Sequence, residues 1–183
     1  MSLEINLELT DADLAHFRQL MDEAISKSSK LSDEEIISRA HALVEKMESA
    51  PLPQFVQSRL MSLSALINAV QDEEWQMPED EKKEIMTSLA YFSEPEDIVP
   101  DHVPVIGYLD DAIMIELVLQ NLSLDLKAYR EFCGFRATEE ARRGEKANVN
   151  RENWLEGTRA QIRSSMRRSR GAHKRPSFFS RIM

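Results

Sequence analysis

The chain has 183 residues, a single cysteine and a net charge of −9, a length that suits one domain with an appendage. Cys133 cannot form an internal disulfide or a zinc–thiolate cluster, and a reducing compartment is the simplest environment for it. No stretch approaches the roughly 18 uninterrupted apolar residues of a membrane-spanning helix, and residues 1–10 lack the layout of a signal peptide. We therefore predict a cytoplasmic protein without a transmembrane segment.

Charge is distributed unevenly along the chain. Residues 151–183 contain nine Lys and Arg against two Asp and Glu, a net charge of +7, which leaves −16 for residues 1–150. The acidic part would repel nucleic acid and anionic lipid, whereas the basic part would attract both. We divide the chain into an acidic helical domain, residues 1–145, and a basic C-terminal helix and tail, residues 146–183. From residue 169 no period is visible, which is typical of a segment that is disordered or ordered by a partner.

Helical patterns follow one another from the N-terminus. Thr10 with Asp13, and Ser32 with Glu35, have the three-residue spacing of helix N-terminal capping pairs. Two further apolar repeats follow, the second opening at Pro78 before three consecutive carboxylates. All five glycines lie beyond residue 106, and no hairpin turn is present, which favours helices over strands.

The second half of the chain continues the helical pattern. The apolar spacing predicts helices over residues 108–122 and about 125–134, and Asn150 is placed to cap a basic helix over 151–168. Leu155, Ile162 and Met166 form the apolar line of that last helix. The predicted fold is all-α: an irregular bundle of about six helices with a proline-rich connection, plus the basic C-terminal helix and tail.

A proline-rich connection separates two of the predicted helices. Its residues include Pro95, Pro100 and Pro104, which disfavour helix, and Gly107, which suits a positive-φ turn before the helix that starts at Tyr108. The run over 95–111, PEDIVPDHVPVIGYLDD, resembles the signature of the YkvA-like family, a bacterial and archaeal domain of unknown function. The resemblance extends over residues 85–125 and implies no activity.

Four aspartates lie in or beside this connection: Asp97, Asp101, Asp110 and Asp111. Carboxylates gathered in this way can hold Mg²⁺ or Mn²⁺, which prefer oxygen ligands. In the alternative, the first two bond backbone N–H groups in turns around the prolines, and the last two stabilise a helix N-terminus. Because consecutive helical residues point about 100° apart, only one of the last two can face a given site. We expect no cofactor unless the metal interpretation holds.

The basic segment suggests a docking role. Its candidate partner-binding residues are Arg159, Arg163, Arg167, Arg168, Arg170, Lys174, Arg175, Phe178 and Phe179. Arginines beside an apolar line and aromatic residues suit a protein partner, a phosphate-rich nucleic acid or an anionic membrane surface. In two further alternatives, the tail is simply solvated, or the arm folds back on its own acidic body.

No catalytic residue is assigned, because the sequence lacks a glycine-rich phosphate loop, a zinc-protease motif and a nucleophile elbow. We predict a non-enzymatic helical interaction module that docks to a protein partner through its basic tail. A protein that binds nucleic acid, the ribosome or an anionic membrane is one alternative, and a divalent-metal-dependent enzyme using the aspartates is another.

Overall fold

The structure, a computed structural model, describes residues 8–27, 30–50, 52–93 and 108–172. These residues form α-helices and short 3₁₀ turns, with no strand among them, which confirms the predicted all-α fold. The helices are α1 (Asp11–Lys27), α2 (Asp33–Glu48), α3 (Gln54–Gln71), α4 (Glu79–Ala90), α5 (Leu109–Arg143) and α6 (Arg151–Ala172).

The first two helices begin where the capping pairs predict. The backbone N–H of Thr10 donates to Asp13 Oδ2 at 2.8 Å, and the N–H of Asp13 donates to Thr10 Oγ1 at 3.3 Å. Ser32 and Glu35 exchange the same pair of bonds, at 2.9 and 3.3 Å. Each pair satisfies backbone donors that would otherwise have no partner in the first turn, and so specifies where its helix starts.

The first half of α5 lies at the centre of the larger core. Its side chains from Ala112 to Ile115 are all buried, and α1, α3 and the helices packed on them surround it. A helix that is apolar on all sides is expected in such a position. Glu116 interrupts this half, and its Oε2 accepts a hydrogen bond from Arg59 Nε at 2.9 Å at the partly exposed edge. No helix within the described ranges is both long enough and apolar enough to cross a bilayer.

The two helices predicted over residues 108–122 and about 125–134 correspond to the two segments of α5, which meet at a kink. At Leu122 the backbone leaves helical geometry (φ −101°, ψ 16°), which kinks the helix without ending it. The helix then continues through Gly134 to Arg143 and stops before Gly144, whose φ is +55°. An interior glycine costs a helix only about 1 kcal/mol, and the packing of α5 under α6 is large enough to offset that cost.

A second, smaller core lies under α6. Trp75, 1 % exposed, and Phe132, fully buried, have ring centroids 5.0 Å apart. The α6 residues Leu155, Ile162 and Met166 close over them, so the predicted apolar line is buried. The predicted boundary at residue 145 falls in the 3₁₀ turn Gly144–Asn148 between α5 and α6, but this core crosses it. The structure therefore places α6 against the acidic body, as the fold-back alternative expects.

Candidate functional site

Asp72 organises the connection between α3 and α4. Its Oδ1 accepts the backbone N–H groups of Glu74 at 3.0 Å and Trp75 at 3.2 Å. From α5, the Tyr129 hydroxyl donates to Asp72 Oδ2 at 3.0 Å, and Arg136 Nη2 lies 2.8 Å from the same oxygen. Burial opposes ionisation of the Asp72 carboxyl, but the bonds from Arg136 and Tyr129 hold its pKa below the usual value. The connection is thus fixed to α5 by an ionised carboxylate.

Two arginines of α6 hold the same connection by its backbone. Arg159, 3 % exposed, donates from Nη1 to the carbonyl of Glu74 at 2.8 Å. One turn later, Arg163 Nη2 donates to the carbonyls of Trp75, at 2.5 Å, and Gln76. The Arg163 guanidinium also lies over the Trp75 ring, 4.7 Å from its centroid. Hydrogen bonds from a charged donor contribute roughly 1.5–3 kcal/mol each, so these arginines stabilise the connection directly.

The Glu74 carboxylate links three elements. It accepts hydrogen bonds from Arg136 of α5, at 3.0 Å, and from Arg151 in the first turn of α6. Arg151 also donates to Glu140 of α5. The Arg151 bond is the largest of the effects that lower the pKa of Glu74. This ion network joins the α3–α4 connection to both long helices of the second core.

A second charged cluster, which we call the carboxylate clamp, consists of Glu81, Asp125 and Arg170. Glu81, in the first turn of α4, and Asp125, on α5, are 6 % and 5 % exposed. Arg170 Nη2 donates to Asp125 Oδ1, and its Nη1 lies 3.8 Å from Glu81 Oε1. Burial opposes the charge of Arg170, but Asp125 and Glu81 raise its pKa above the usual value. The clamp ties the last turns of α6 to α4 and α5.

Within the clamp, burial of the Glu81 carboxylate disfavours its charged form. Burial raises the pKa of its carboxyl, Arg170 opposes the rise, and the neighbouring Asp125 charge adds to it. An acid whose pKa is higher in the folded state binds more protons there than in the unfolded chain. Its contribution to stability is therefore complete below the unfolded pKa and is lost as the pH rises through the folded pKa.

Glu81→Gln should accordingly raise the melting temperature at about pH 7.5, because it removes a buried charge that burial disfavours. The gain should shrink as the pH falls through the pKa of Glu81, where the wild-type side chain is also neutral. Thermal melts of both proteins, from about pH 7.5 downward through the pKa of Glu81, check the prediction. As a control, Glu79→Gln, exposed in the same turn, should lose a few tenths of a kcal/mol, because it removes a carboxylate that stabilises the helix N-terminus. A lower melting temperature for Glu81→Gln at about pH 7.5 would mean that its attraction to Arg170 outweighs its burial.

Arg167 and Arg168 form what we call the basic edge of α6. Both side chains are exposed, and Arg168 Nη1 donates to Ser164 Oγ at 2.7 Å. They border an open cavity of about 500 Å³ on the surface of α6. The described residues that line it are Ala160, Arg163, Ser164, Arg167 and Arg168.

The predicted partner-binding arginines thus fall into two sets. Arg159, Arg163 and Arg170 bond to groups of the body, whereas Arg167 and Arg168 are exposed. The other predicted partner-binding residues, Lys174, Arg175, Phe178 and Phe179, lie outside the described residues. Partner binding by any of these side chains stays a prediction.

The predicted metal ligands are described only in part. Asp110 is buried and Asp111 half-buried, both in the first turn of α5, which directly follows Tyr108. Within the described ranges, no group of three or more His, Cys, Asp or Glu side chains is arranged to hold a metal ion. The positions Pro95, Asp97, Pro100, Asp101, Pro104 and Gly107 lie outside the described residues. The Mg²⁺ or Mn²⁺ site therefore stays a prediction.

The groups that accept hydrogen bonds from the α6 arginines carry no distinctive local sequence pattern. Asp72 and Glu74 stand beside Trp75 at the end of α3, a local signal for a capped helix end but not for an ion network. Tyr129 follows the apolar spacing of its helix, and Asp125 is a residue type typical of a helix cap. Their roles depend on partners more than 40 positions away in the sequence. A local sequence pattern does not indicate such partners.

A family match covers a segment that begins in α4 and ends in α5. Residues 81–117 match the family described as "Protein of unknown function (DUF1232)". This match confirms the resemblance drawn from residues 95–111. The matched segment runs from Glu81 of the carboxylate clamp to Leu117 in the buried half of α5, and its description names no activity. Comparison with curated proteins gives no match, and neither does comparison with solved structures.

Proposed function

We propose that this chain is a non-enzymatic helical interaction module, which docks to a protein partner through the basic edge of α6 and residues 173–183. The division of the α6 arginines supports this proposal. Arg159, Arg163 and Arg170 satisfy the body's own carbonyls and carboxylates, and Arg167 and Arg168 present their charge outward. The exposed charge lies one turn before a segment that adds three basic residues and no acidic one.

The charge balance favours an acidic protein surface over a nucleic acid as the partner. Residues 1–150 carry a net charge of −16, and at physiological salt charges interact over about 8 Å. An extended phosphate backbone bound at the basic edge would pass close to that acidic surface, whereas a compact acidic patch can contact the edge alone. Phe178 and Phe179 supply aromatic side chains of the kind that dominate protein–protein contacts.

Affinity capture from the native cell tests the proposal with a matched pair of double variants. Arg167→Gln/Arg168→Gln should weaken capture of the partner about tenfold or more, which corresponds to about 1.4 kcal/mol. Lys127→Gln/Lys146→Gln removes the same charge from exposed positions elsewhere and should leave capture unchanged. Removal of residues 173–183 should abolish it. Equal capture by the wild-type chain and both altered forms of the basic region would refute the docking role.

The alternatives are separate outcomes of the same capture. Loss of the complex on nuclease treatment, with affinity falling steeply as salt increases, would identify a nucleic-acid partner, because each neutralised phosphate releases counterions. Flotation of the purified protein with anionic vesicles would identify a membrane surface. Under our proposal, the complex survives nuclease and the protein does not float.

A further inference from the structure

Most of the residues that line the cavity beside the basic edge are of the types that bind small anions. Ala160 and Ser164 are exposed and have short side chains, so they form a floor between longer arginine side chains. Arg163, Arg167 and Arg168 form the described walls. No carboxylate is among the described residues that line the cavity, although the body as a whole is strongly acidic.

The donors around this cavity exceed the acceptors that the described residues provide. Arg163 Nε has no hydrogen-bond partner among them and is shielded from solvent, so an anion in the cavity would bond it once the Arg163 side chain turns outward. Arg168 donates to the Ser164 hydroxyl, which leaves that hydroxyl its own hydrogen to donate. Buried donors without an acceptor are rare in folded proteins, and each one calls for a water, an ion or a ligand.

Positive charge is also concentrated here. Burial is the main cause that lowers the pKa of Arg163, Glu81 opposes the effect, and the neighbouring charges of Arg159 and Arg167 add to it. Arg163 and Arg167 both border the cavity, and an anion between them would offset the repulsion of their like charges. A bound anion would therefore gain attraction from at least two guanidinium groups at once.

We propose that this cavity binds a phosphate-type oxyanion, which accepts hydrogen bonds from Arg163, Arg167 and Arg168 and from the Ser164 hydroxyl. A phosphate group carries up to two negative charges and several acceptor oxygens, so it can engage more than one guanidinium fork. A carboxylate carries one charge and two acceptor oxygens, so it offers less to the three guanidinium groups around the cavity. The site concerns a single ion or phosphoryl group and does not require the protein partner proposed above.

Titration of the purified full chain with inorganic phosphate at constant ionic strength tests the site. In ¹H–¹⁵N spectra, the Nε–H resonance of Arg163 should shift and saturate with phosphate but not with chloride or acetate. Arg167→Gln/Arg168→Gln should weaken phosphate binding about tenfold or more, and Lys127→Gln/Lys146→Gln should leave it unchanged. The two positions of the first variant are exposed, and a thermal melt verifies that it folds.

Two results would overturn the site: equal shifts with acetate and phosphate, or equal weakening by both double variants. Either one would mean general attraction of anions to a basic surface. Saturable phosphate binding by a protein that captures no partner would support the anion site and count against the docking proposal. Capture of a partner without phosphate binding would support docking and count against the anion site. Where binding holds, phenyl phosphate and vesicles that contain phosphatidic acid distinguish a soluble phosphoryl group from a lipid headgroup.

Discussion

Removal of residues 151–183 should unfold the body or lower its melting temperature severely, whereas removal of residues 173–183 alone should leave it nearly unchanged. The longer deletion takes away Leu155, Ile162 and Met166, which are 1 %, 4 % and 5 % exposed. Burying a side chain of this size contributes roughly 1.5–3 kcal/mol, and domains of this size are stable by only about 5–15 kcal/mol. The deletion also exposes Trp75 and Phe132 and leaves the ion network without its α6 arginines.

Circular dichroism of the two truncated chains, with thermal melts, measures this difference. The charge-based division predicts a domain over residues 1–145, and such a domain would fold without α6. If both truncated chains melted like the full chain, that division would hold and the second core would contribute little to stability. We expect a cooperative melt only for the shorter deletion.

Arg159→Ala should destabilise the protein by about 2–4 kcal/mol, the range expected when a buried, hydrogen-bonded charged side chain is removed. Arg159 is 3 % exposed and bonds the carbonyl of Glu74 at 2.8 Å. The alanine leaves that carbonyl without its charged donor and opens a cavity between α6 and the α3–α4 connection. The pairing of Arg159 with Glu152 adds little, because that carboxylate is largely exposed.

Urea unfolding of three variants separates the causes. Arg159→Met keeps most of the buried stem and loses only the bonds, so it should cost less than the alanine. Arg168→Ala, at the exposed basic edge, should change stability by no more than about 0.5 kcal/mol. If Arg159→Ala and Arg168→Ala were equally mild, the inner arginines would not hold α6 to the body.

The helix starts were predictable because their causes lie within one turn. Thr10 with Asp13 and Ser32 with Glu35 are pairs in which each side chain bonds its neighbour's backbone. The kink at Leu122 falls at the break predicted between residues 122 and 125, but the bonds that Asp125 makes there were not predictable in the same way. Ser123 and Asp125 have the local features of a new helix start, but Asp125 instead receives Arg170 from α6.

The arginines of α6 illustrate the same limit. Arg159, Arg163 and Arg167 follow one another at four-residue spacing beside the apolar line, so the sequence presents them as equivalent. Their environments differ because the carbonyls of Glu74 and Trp75, more than 80 positions earlier, lie under the first two. Charge composition indicated a basic arm, but where each positive charge lies depends on tertiary packing.

Native-state hydrogen exchange of the intact chain tests most directly whether α6 is part of the folded body. Amides of residues 155–166 should exchange with the same free energy of opening as those around Tyr129 and Phe132 in α5, because the two helices share one core. Exchange in α6 that is fast, and independent of the protection in α5, would contradict the account.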